Sequence, residues 1–489
     1  MAAGTPLLGP PKRGPPPHAV AYVVLMGTAF ALIFTAWIAT QNFAVKLLNS
    51  GSSALGSWLI GVVYMAFIVS NQIAASVVGL LGAKWTTVLG SIGYFVCTAG
   101  VASMNTVVTL AGGMCVGLGG GMLWSGQGRM ITDLSTDENR GFNSGLFYSL
   151  MLGGSGLGGF VVTFLFAPME PGAAGSSSGG SASAAVGAGD DADSSFRHAV
   201  GVYFTVLCIP VGLGCLMLTL MPNLPKPTEQ LGLTARIGRT WSVLATREML
   251  LLAPYCFQIG VAISFTTFFY RVIRDTRTLA IIGLWNCFGS FIALPLGRFS
   301  DSVGRRPIAL LAMALDLSAY YLATLAAEHQ PQYDPQSLTH SMLTCGPACY
   351  AGLLDGAAMG LYQLLQAAAI STLFADRDSE AAFAVRDTWL SVSSVLGACV
   401  LTQLIPGPAG EHPTDAALKA AATSFQFVAS LCGAWLVLGT TFYAIAEPQP
   451  CALSCGRALV GAVRGGKGSG DRPDGSHCSS SSSSSIRVQ

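Results

Sequence analysis

Charged residues are scarce in this sequence. Asp, Glu, Lys and Arg make up 10% of the 489 residues, whereas hydrophobic residues make up 52%; a typical soluble domain is about 25% charged. A chain of this composition cannot cover a water-facing surface of ordinary size. The net charge of +1 gives no indication of a nucleic-acid partner, and we expect none. The composition therefore predicts an integral membrane protein that lies in the lipid bilayer.

Motifs for catalysis and metal binding are also missing. The 13 cysteines are scattered, with no Cys/His spacing that would hold zinc. There is no nucleotide-binding motif, no Ser/His/Asp set, and no histidine within the long apolar runs. We therefore predict that the protein is not an enzyme and holds no metal and no cofactor. No Asn-x-Ser/Thr sequence occurs, so we expect no N-linked glycan.

Long apolar runs are abundant, and they predict the fold class. A bilayer core about 30 Å thick is spanned by roughly 20 helical residues. Twelve such runs cover approximately residues 19–40, 56–81, 86–104, 106–126, 142–167, 199–221, 249–270, 279–297, 307–327, 346–374, 388–406 and 421–446. None of them alternates as a barrel strand does. The sequence predicts an all-α membrane protein with twelve transmembrane helices.

The connecting segments complete the predicted organisation. We predict a cytoplasmic tail (1–18), an N-terminal six-helix half (19–221), a cytoplasmic linker (222–248), a C-terminal six-helix half (249–446) and a disordered cytoplasmic tail (447–489). Residues 171–195 are rich in Gly, Ser and Ala, which predicts a disordered outer loop. In the linker, Leu233, Ile237, Trp241 and Leu244 recur at helical spacing. This stripe predicts an amphipathic helix on the membrane surface or an extension of the seventh helix.

The basic residues indicate an orientation. If both termini are cytoplasmic, all but six of the 25 Lys and Arg residues face the cytoplasm. The six exceptions are Lys46, Arg197, Arg271, Arg274, Arg277 and Lys419. The positive-inside rule therefore predicts a multi-pass protein with both termini in the cytoplasm.

A cluster of charges separates the eighth and ninth apolar runs, where residues 297–307 read GRFSDSVGRRP. We expect a short, tightly turned loop that clamps helix ends, in which Asp301 binds a neighbouring arginine or caps an adjacent helix. The residues assigned to this conformational role are Gly297, Asp301, Gly304, Arg305 and Arg306. Their spacing resembles the G-x3-D-x2-G-R-[RK] signature of the major facilitator superfamily. The alternative is a charged loop that only follows the positive-inside rule.

Two charged residues fall within the predicted helices, Asp316 and Asp355. Each lies about nine residues, roughly 14 Å, from its end of the helix, near the membrane midplane. A carboxylate there is costly, and it usually faces a cavity or marks a path for ions or substrate; the alternative is a protonated, hydrogen-bonded structural residue. We predict a substrate or ion pathway at Asp355. Further pathway candidates are Gln363, Gln127, Asn71 and Gln258, although a single amide more often bonds neighbouring helices.

Four stretches resemble the Unc-93-like family of the major facilitator superfamily. They begin at Ala39 (ATQNFAVKLLNSGSSALGSWLIGVVYM), Gly117 (GLGGGMLWSGQGRMIT), Thr240 (TWSVLATREMLLLAPYCFQIGVAISF) and Gly352 (GLLDGAAMGLYQLLQ, followed by TLFADRDSEAAFAVRDTW). The last matches the family at Asp355, Glu380 and Phe383. The chain departs from the family where an aromatic residue and an arginine normally follow the EAAF element, because Arg386 and Asp387 occur there.

The resemblance implies a facilitator fold of two six-helix halves, with a substrate site near the midplane between them. Members of the family resemble solute carriers, and some act as regulatory subunits of potassium channels or as trafficking partners of Toll-like receptors. We therefore expect a transporter of a small solute or ion that works by alternating access. A regulatory subunit of a potassium channel, or a trafficking chaperone for other membrane proteins, is the alternative, and its partner would be another membrane protein.

Overall fold

The fold is helical throughout the part of the chain that the computed structural model describes. That part comprises residues 16–48, 55–166, 189–224, 232–272, 276–329, 346–374, 378–404 and 415–447. All regular secondary structure within these ranges is helix. The predicted all-α class is therefore confirmed.

Seven α-helices and one π-helical turn form the first part of the chain. They are α1 (Ala19–Leu48), α2 (Leu55–Leu81), α3 (Ala83–Ala102), α4 (Thr106–Asp133), α5 (Arg140–Tyr148), the π turn (Ser149–Gly153), α6 (Gly154–Phe166) and α7 (Gly189–Thr219). Helix α7 begins inside the segment predicted to be disordered, so the prediction is wrong for residues 189–195. The predicted loop residues 171–188 lie outside the described residues, as do 1–15 and 448–489 of the two tails.

Eight α-helices follow in the described ranges of the second part. They are α8 (Leu233–Leu244), α9 (Arg247–Val272), α10 (Thr276–Ser290), α11 (Ala293–Val303), α12 (Arg305–His329), α13 (Gly346–Leu373), α14 (Ser379–Leu404) and α15 (Asp415–Ala446). The eighth predicted span is divided between α10 and α11. Pro295 explains the break, because in a continuous helix its ring would clash with the carbonyl of Phe291. The chain restarts instead, with Pro295 in the first turn of α11.

The charged segment 297–307 is not the loop that the sequence predicts. Helix α11 continues through Asp301 to Val303, and α12 begins at Arg305. Only Gly304 interrupts the two helices, with a φ of 97°. This backbone conformation is accessible to glycine because it has no Cβ.

Ten of the described helical stretches are long and apolar enough to cross a membrane. They correspond to ten of the twelve predicted spans. The other two predicted spans, 142–167 and 388–406, coincide with the helical run Arg140–Phe166 and with α14. Large apolar side chains such as Trp58 and Leu220, each 68% exposed, cover the outside of the bundle. Such a surface is suited to lipid and not to water.

The linker helix α8 is separate from α9, and the face that it turns to the bundle carries polar residues. Residues 245 and 246 interrupt the two helices, which excludes a helical extension. Arg236 and Thr240 are buried, whereas Trp241 of the predicted apolar stripe is 56% exposed. Arg239 forms an ion pair with Asp378. An exposed Trp241 fits the predicted amphipathic helix, whose apolar stripe would face the lipid.

Close backbone packing brings helices of the second part together beside the intramembrane carboxylate. A Cβ added at Gly356 of α13 would lie 2.7 Å from the carbonyl carbon of Asn286 in α10. Small residues allow membrane helices to approach in this way. The contact positions Asn286 next to Asp355, which precedes Gly356 in the chain.

Candidate functional site

A cavity with a volume of ≈ 170 Å³ lies among the helices. A single water molecule needs about 10–15 Å³ on this scale, so the cavity has room for several waters or a small organic solute. One wall comes from α1–α4 and the π turn, and the other from α9, α10, α13 and α14. The cavity therefore lies between the two halves that the sequence predicts.

The wall formed by the first part of the chain is aromatic. Its aromatic members are Phe34, Trp37, Tyr64, Phe67, Tyr94 and Trp124. Phe34 joins three of these rings, since its centroid lies 5.2 Å from that of Trp124 and 5.3 Å from that of Tyr94. Met151 and Leu152 of the π turn extend this wall. Single π turns within helices are frequent at functional sites because they redirect neighbouring side chains.

Asp355 lies on the opposite wall and is held by two neutral donors. The side-chain amide of Asn286 donates a hydrogen bond to Oδ2 at 2.8 Å. The hydroxyl of Thr266 lies 3.2 Å from Oδ2 and 3.3 Å from Oδ1. Among the described residues, no cationic side chain forms an ion pair with this carboxylate. The carboxyl group is therefore available to a ligand.

Arg386 and Asp387 line the same wall as an adjacent ion pair, and each side chain is 1% exposed. The guanidinium Nη2 lies 2.7 Å from Asp387 Oδ1, and Nη1 donates to the Tyr148 hydroxyl at 3.1 Å. The same guanidinium lies over the rings of Trp124 and Phe383, at 5.7 and 5.5 Å from their centroids. Asp387 thus neutralises the positive charge of Arg386, and the rings of Trp124 and Phe383 lie against the guanidinium group.

Two acceptor oxygens in the cavity wall have no hydrogen-bond partner within the described structure. They are Oδ2 of Asp387 and Oε1 of Gln363. Both side chains are buried, and an unpaired buried acceptor is costly. Both residues line the cavity, so two acceptors without a partner lie just behind its surface.

The second predicted carboxylate, Asp316, lies outside the cavity wall in a closed polar cluster. It is fully buried. Its Oδ2 accepts hydrogen bonds from the Tyr362 hydroxyl at 3.1 Å and from Gln258 Nε2 at 3.3 Å. Gln258 Nε2 also lies 3.2 Å from the Tyr320 hydroxyl. The structure thus brings Gln258 to Asp316 and not to Asp355.

Of the predicted pathway residues, Asp355 and Gln363 line the cavity, whereas Asn71 and Gln127 do not. Asn71 lies one helical turn beyond the cavity-lining Phe67, and Gln127 three residues beyond Trp124. Both amides are fully buried, and their polar atoms have no hydrogen-bond partner in the described structure. Their place on the helix explains the difference, since one turn carries a side chain about 5.4 Å along the axis.

Arg386 and Asp387 are not among the pathway residues predicted from the sequence. The eleventh predicted span began at residue 388, but α14 begins at Ser379. Asp378 and Ser379, which precede Glu380, are residue types that are typical of a helix start. That signal would have extended the helix backwards and placed both charges inside it.

Asp301 of the charged segment connects the two parts of the chain. Its Oδ1 accepts a hydrogen bond from the backbone N–H of Gly141 at 2.8 Å, and its Oδ2 from that of Phe142 at 2.9 Å. These are free donors in the first turn of α5, where a carboxylate is favoured by unsatisfied N–H groups and by the helix dipole. Asp301 therefore caps a helix, which is one of the two roles predicted for it. The capped helix, α5, is distant from Asp301 in the sequence.

The two arginines that follow do not bind Asp301. Arg305 binds Oε1 of Glu447 at 2.9 Å and the Thr372 hydroxyl at 2.8 Å. Arg306 donates to the backbone carbonyl of Glu447 at 2.7 Å. Both arginines therefore hold the ends of α12, α13 and α15 together within the second part of the chain.

Further polar contacts join the two parts beside Asp301. Arg129 binds Oε2 of Glu380 at 3.2 Å, and the guanidinium of Arg140 donates to the carbonyl of Ser371. We call this end of the bundle the charged end, defined by Arg129, Arg140, Asp301, Ser371 and Glu380. The two parts of the chain are in contact there, so the cavity is separated from that side by packed helices.

Comparison with known proteins places this architecture in a family. A family model described as "Ion channel regulatory protein UNC-93" matches residues 52–405. Protein unc-93 homolog A of Bos taurus is 24% identical over 412 residues, which cover 76% of this chain and 85% of the relative. UNC93-like protein MFSD11 of Xenopus tropicalis is 27% identical over 133 residues, 26% of this chain and 30% of that protein. The chain therefore matches less than a third of the length of this second relative.

Solved structures show the same fold. The fucose:proton symporter FucP of E. coli aligns with a TM-score of 0.59 at 14% identity, covering 88% of this chain and 98% of that one. The xylose transporter XylE of E. coli aligns with a TM-score of 0.57 at 15% identity, covering 88% and 100%. The fold is thus that of the major facilitator superfamily, and the chain belongs to the UNC-93 family of multi-pass membrane proteins.

Proposed function

We propose that this protein transports a small solute or ion across the membrane by alternating access, with the cavity as its binding site. The observation that supports the proposal most directly is the burial of Asp355, Arg386 and Asp387 in the cavity wall. Charged side chains inside a membrane protein are expensive, and they are typical of pathways for substrates and ions. If the cavity had only a structural role, lining it with apolar residues would avoid the free-energy cost of burying charged side chains.

The mechanism assigns a role to each half of the bundle. The halves 19–221 and 249–446 rock against each other around the cavity, as in other transporters built from repeated halves. The contacts at the charged end hold one side closed, and they must separate when that side opens. Breaking a few hydrogen bonds costs less than unpacking an apolar interface, so the charged end is suited to a reversible gate.

We assign to Asp355 the coupling of proton release to ligand binding. While no cation is bound, its neutral form is favoured, because burial of an unpaired carboxylate is costly. A bound cation favours the ionised form. Thr266 and Asn286 keep the carboxyl group oriented in both states, since a hydroxyl and an amide donate to either form. Binding and proton release are thereby linked at one side chain.

Reconstitution of the full-length protein in lipid vesicles tests the transport proposal. We expect saturable uptake or a solute-dependent current for at least one member of a panel of small cationic, neutral and anionic solutes. Protein-free vesicles provide the control for leakage. Absence of uptake and current for the whole panel, from protein that is correctly folded, contradicts transport.

The description of the matching family supports a second candidate, a regulatory subunit of an ion channel. This candidate uses the outer surface of the bundle to contact a partner and needs no turnover at the cavity. Affinity purification of the tagged protein from native membranes distinguishes the two proposals. A stoichiometric membrane-protein partner, together with no uptake in vesicles, favours the regulatory role; a trafficking chaperone would instead release its partner after export.

The charge distribution makes a topological prediction. Both termini and the linker that begins at Pro222 should be cytoplasmic, and residues 171–195 should be outside, because this arrangement places most basic residues inside. We expect an epitope tag at either terminus to be stained only after permeabilisation of intact cells. A tag inserted among residues 171–188 serves as the matched control and should be stained without permeabilisation. Staining of a terminal tag in intact cells contradicts the orientation.

A further inference from the structure

The two walls of the cavity differ in chemistry, and that difference bears on the class of ligand. The first part of the chain contributes the aromatic wall, whose rings are held in mutual contact. The second part contributes the carboxylates and the amide of Gln363. A ligand that fills the space must present an apolar body to one wall and a polar group to the other.

The polar wall carries more acidic than basic side chains. Asp355 and Asp387 each carry a carboxylate, and Arg386 supplies one positive charge. The guanidinium is already bound to Asp387 and to Tyr148. An incoming anion would have to displace these contacts, whereas an incoming cation meets Asp355, which has only neutral partners. The described wall therefore favours a single positive charge.

Hydrogen-bonding capacity leads to the same class of ligand. Two buried polar atoms of the wall have no partner in the described structure, and both are acceptors, Asp387 Oδ2 and Gln363 Oε1. An ammonium group offers several N–H donors and accepts no hydrogen bond. A neutral sugar would present as many acceptors as donors, and a carboxylate would present acceptors only. A ligand rich in donors therefore matches these acceptors better than one that mainly accepts hydrogen bonds.

The aromatic wall adds attraction for the same charge. The faces of Trp, Tyr and Phe rings carry a negative potential, and aromatic cages of this kind bind ammonium groups. Phe34, Tyr64, Phe67 and Tyr94 are each less than 8% exposed, so water screens the interaction little. An apolar body on the ligand would also gain from leaving water at this surface.

From these observations we propose that the cavity binds organic monocations, meaning a primary or secondary ammonium group attached to a small apolar or aromatic body. The ammonium group lies against Asp355, with Asp387 and Gln363 accepting further hydrogen bonds. The apolar body packs on the aromatic wall. The inference rests on the proposed function only in taking this cavity as the ligand site, and binding itself requires no transport.

Three probes with one body and different charges test the class of ligand. Radiolabelled 2-phenylethylammonium is bound to the full-length protein in lipid nanodiscs, and 2-phenylethanol and 3-phenylpropionate are added as competitors. We expect the ammonium probe to bind at least tenfold more tightly than the alcohol, and the carboxylate not to compete. Equal affinities, or tighter binding of the carboxylate, would overturn the proposal without any variant being made.

Variants assign the binding to the cavity. We expect Asp355→Asn to remove the preference for the ammonium probe over the alcohol, and Trp124→Leu to weaken both. Trp58→Leu is the matched control, because Trp58 is 68% exposed on the outer surface and should bind as the wild type does. An unchanged preference in Asp355→Asn would exclude this cavity.

Comparison with vesicle uptake separates this inference from the transport proposal. Binding of the ammonium probe without uptake supports the ligand class and contradicts transport. Saturable uptake of neutral or anionic solutes, with no binding of the ammonium probe, supports transport and contradicts the ligand class.

Discussion

Uptake or current through vesicles that contain Asp355→Asn should fall to about a tenth of the wild-type value or less, a loss of at least ~1.4 kcal/mol in transition-state stabilisation, while the protein still reaches the membrane in normal amounts. Asparagine keeps the shape of the side chain and one acceptor for Thr266 or Asn286. It cannot ionise, so it can neither attract a cation nor release a proton. Activity is measured with the solute that the wild type takes up fastest, beside surface abundance.

Asp316→Asn is the matched control for this experiment. Asp316 is another buried carboxylate of the same part of the chain, but it lies in the closed cluster with Gln258 and Tyr362. Asparagine retains an acceptor for the Tyr362 hydroxyl, so we expect activity close to that of the wild type. Normal activity of Asp355→Asn at normal abundance would remove Asp355 from the mechanism and favour the non-transporting proposals.

A structural role for Asp355 predicts a different pattern across substitutions. If the carboxyl group only accepts hydrogen bonds, asparagine preserves function and leucine prevents folding, because the buried amide of Asn286 loses its acceptor. The Thr266 hydroxyl can still donate to the carbonyl of Ala262. Surface abundance of Asp355→Leu beside that of Asp355→Asn distinguishes the two roles.

Asp301→Asn should shift the protein toward the state in which the charged end is open. The carboxylate accepts two backbone N–H groups of α5, at 2.8 and 2.9 Å. An asparagine can accept one of them, and its own amide hydrogens repel the other. Loss of a charge-assisted hydrogen bond costs about 1.5–3 kcal/mol, which changes the ratio of closed to open populations by roughly 10- to 150-fold. Disulfide crosslinking between engineered cysteines on α5 and α11 measures the separation.

Asp137→Asn is the control at the same end of the bundle. Asp137 pairs with Arg140 at 3.3 Å, but its side chain is 59% exposed, and exposed ion pairs contribute little to stability. Both variants remove one acidic charge, so a general electrostatic effect would appear in both. Crosslinking that is unchanged in Asp301→Asn would leave the segment as a topology signal only.

The fold class was predictable from the sequence because membrane insertion is determined largely by local composition. A run of about 20 apolar residues must form a helix in the bilayer, whatever packs against it. The first and last residues of the helices were less predictable than the fold class. Pro295 divides one predicted span, and α14 begins nine residues before the predicted start at 388. Because the predicted span began at residue 388, Arg386 and Asp387 were placed outside the membrane and were not considered as pathway residues.

Composition and spacing alone determined that this chain is a helical membrane protein and that Asp316 and Asp355 are its two charges deep within predicted helices; the conformational role of residues 297–307 stays a prediction. Only the tertiary structure decided which of these residues share a site. Asp316 lies in a closed cluster with Tyr362, Asp355 faces a cavity, and Asp301 caps a helix 160 residues away. Helical periodicity specifies which face of one helix a side chain occupies, but the neighbours of that face depend on how distant helices pack.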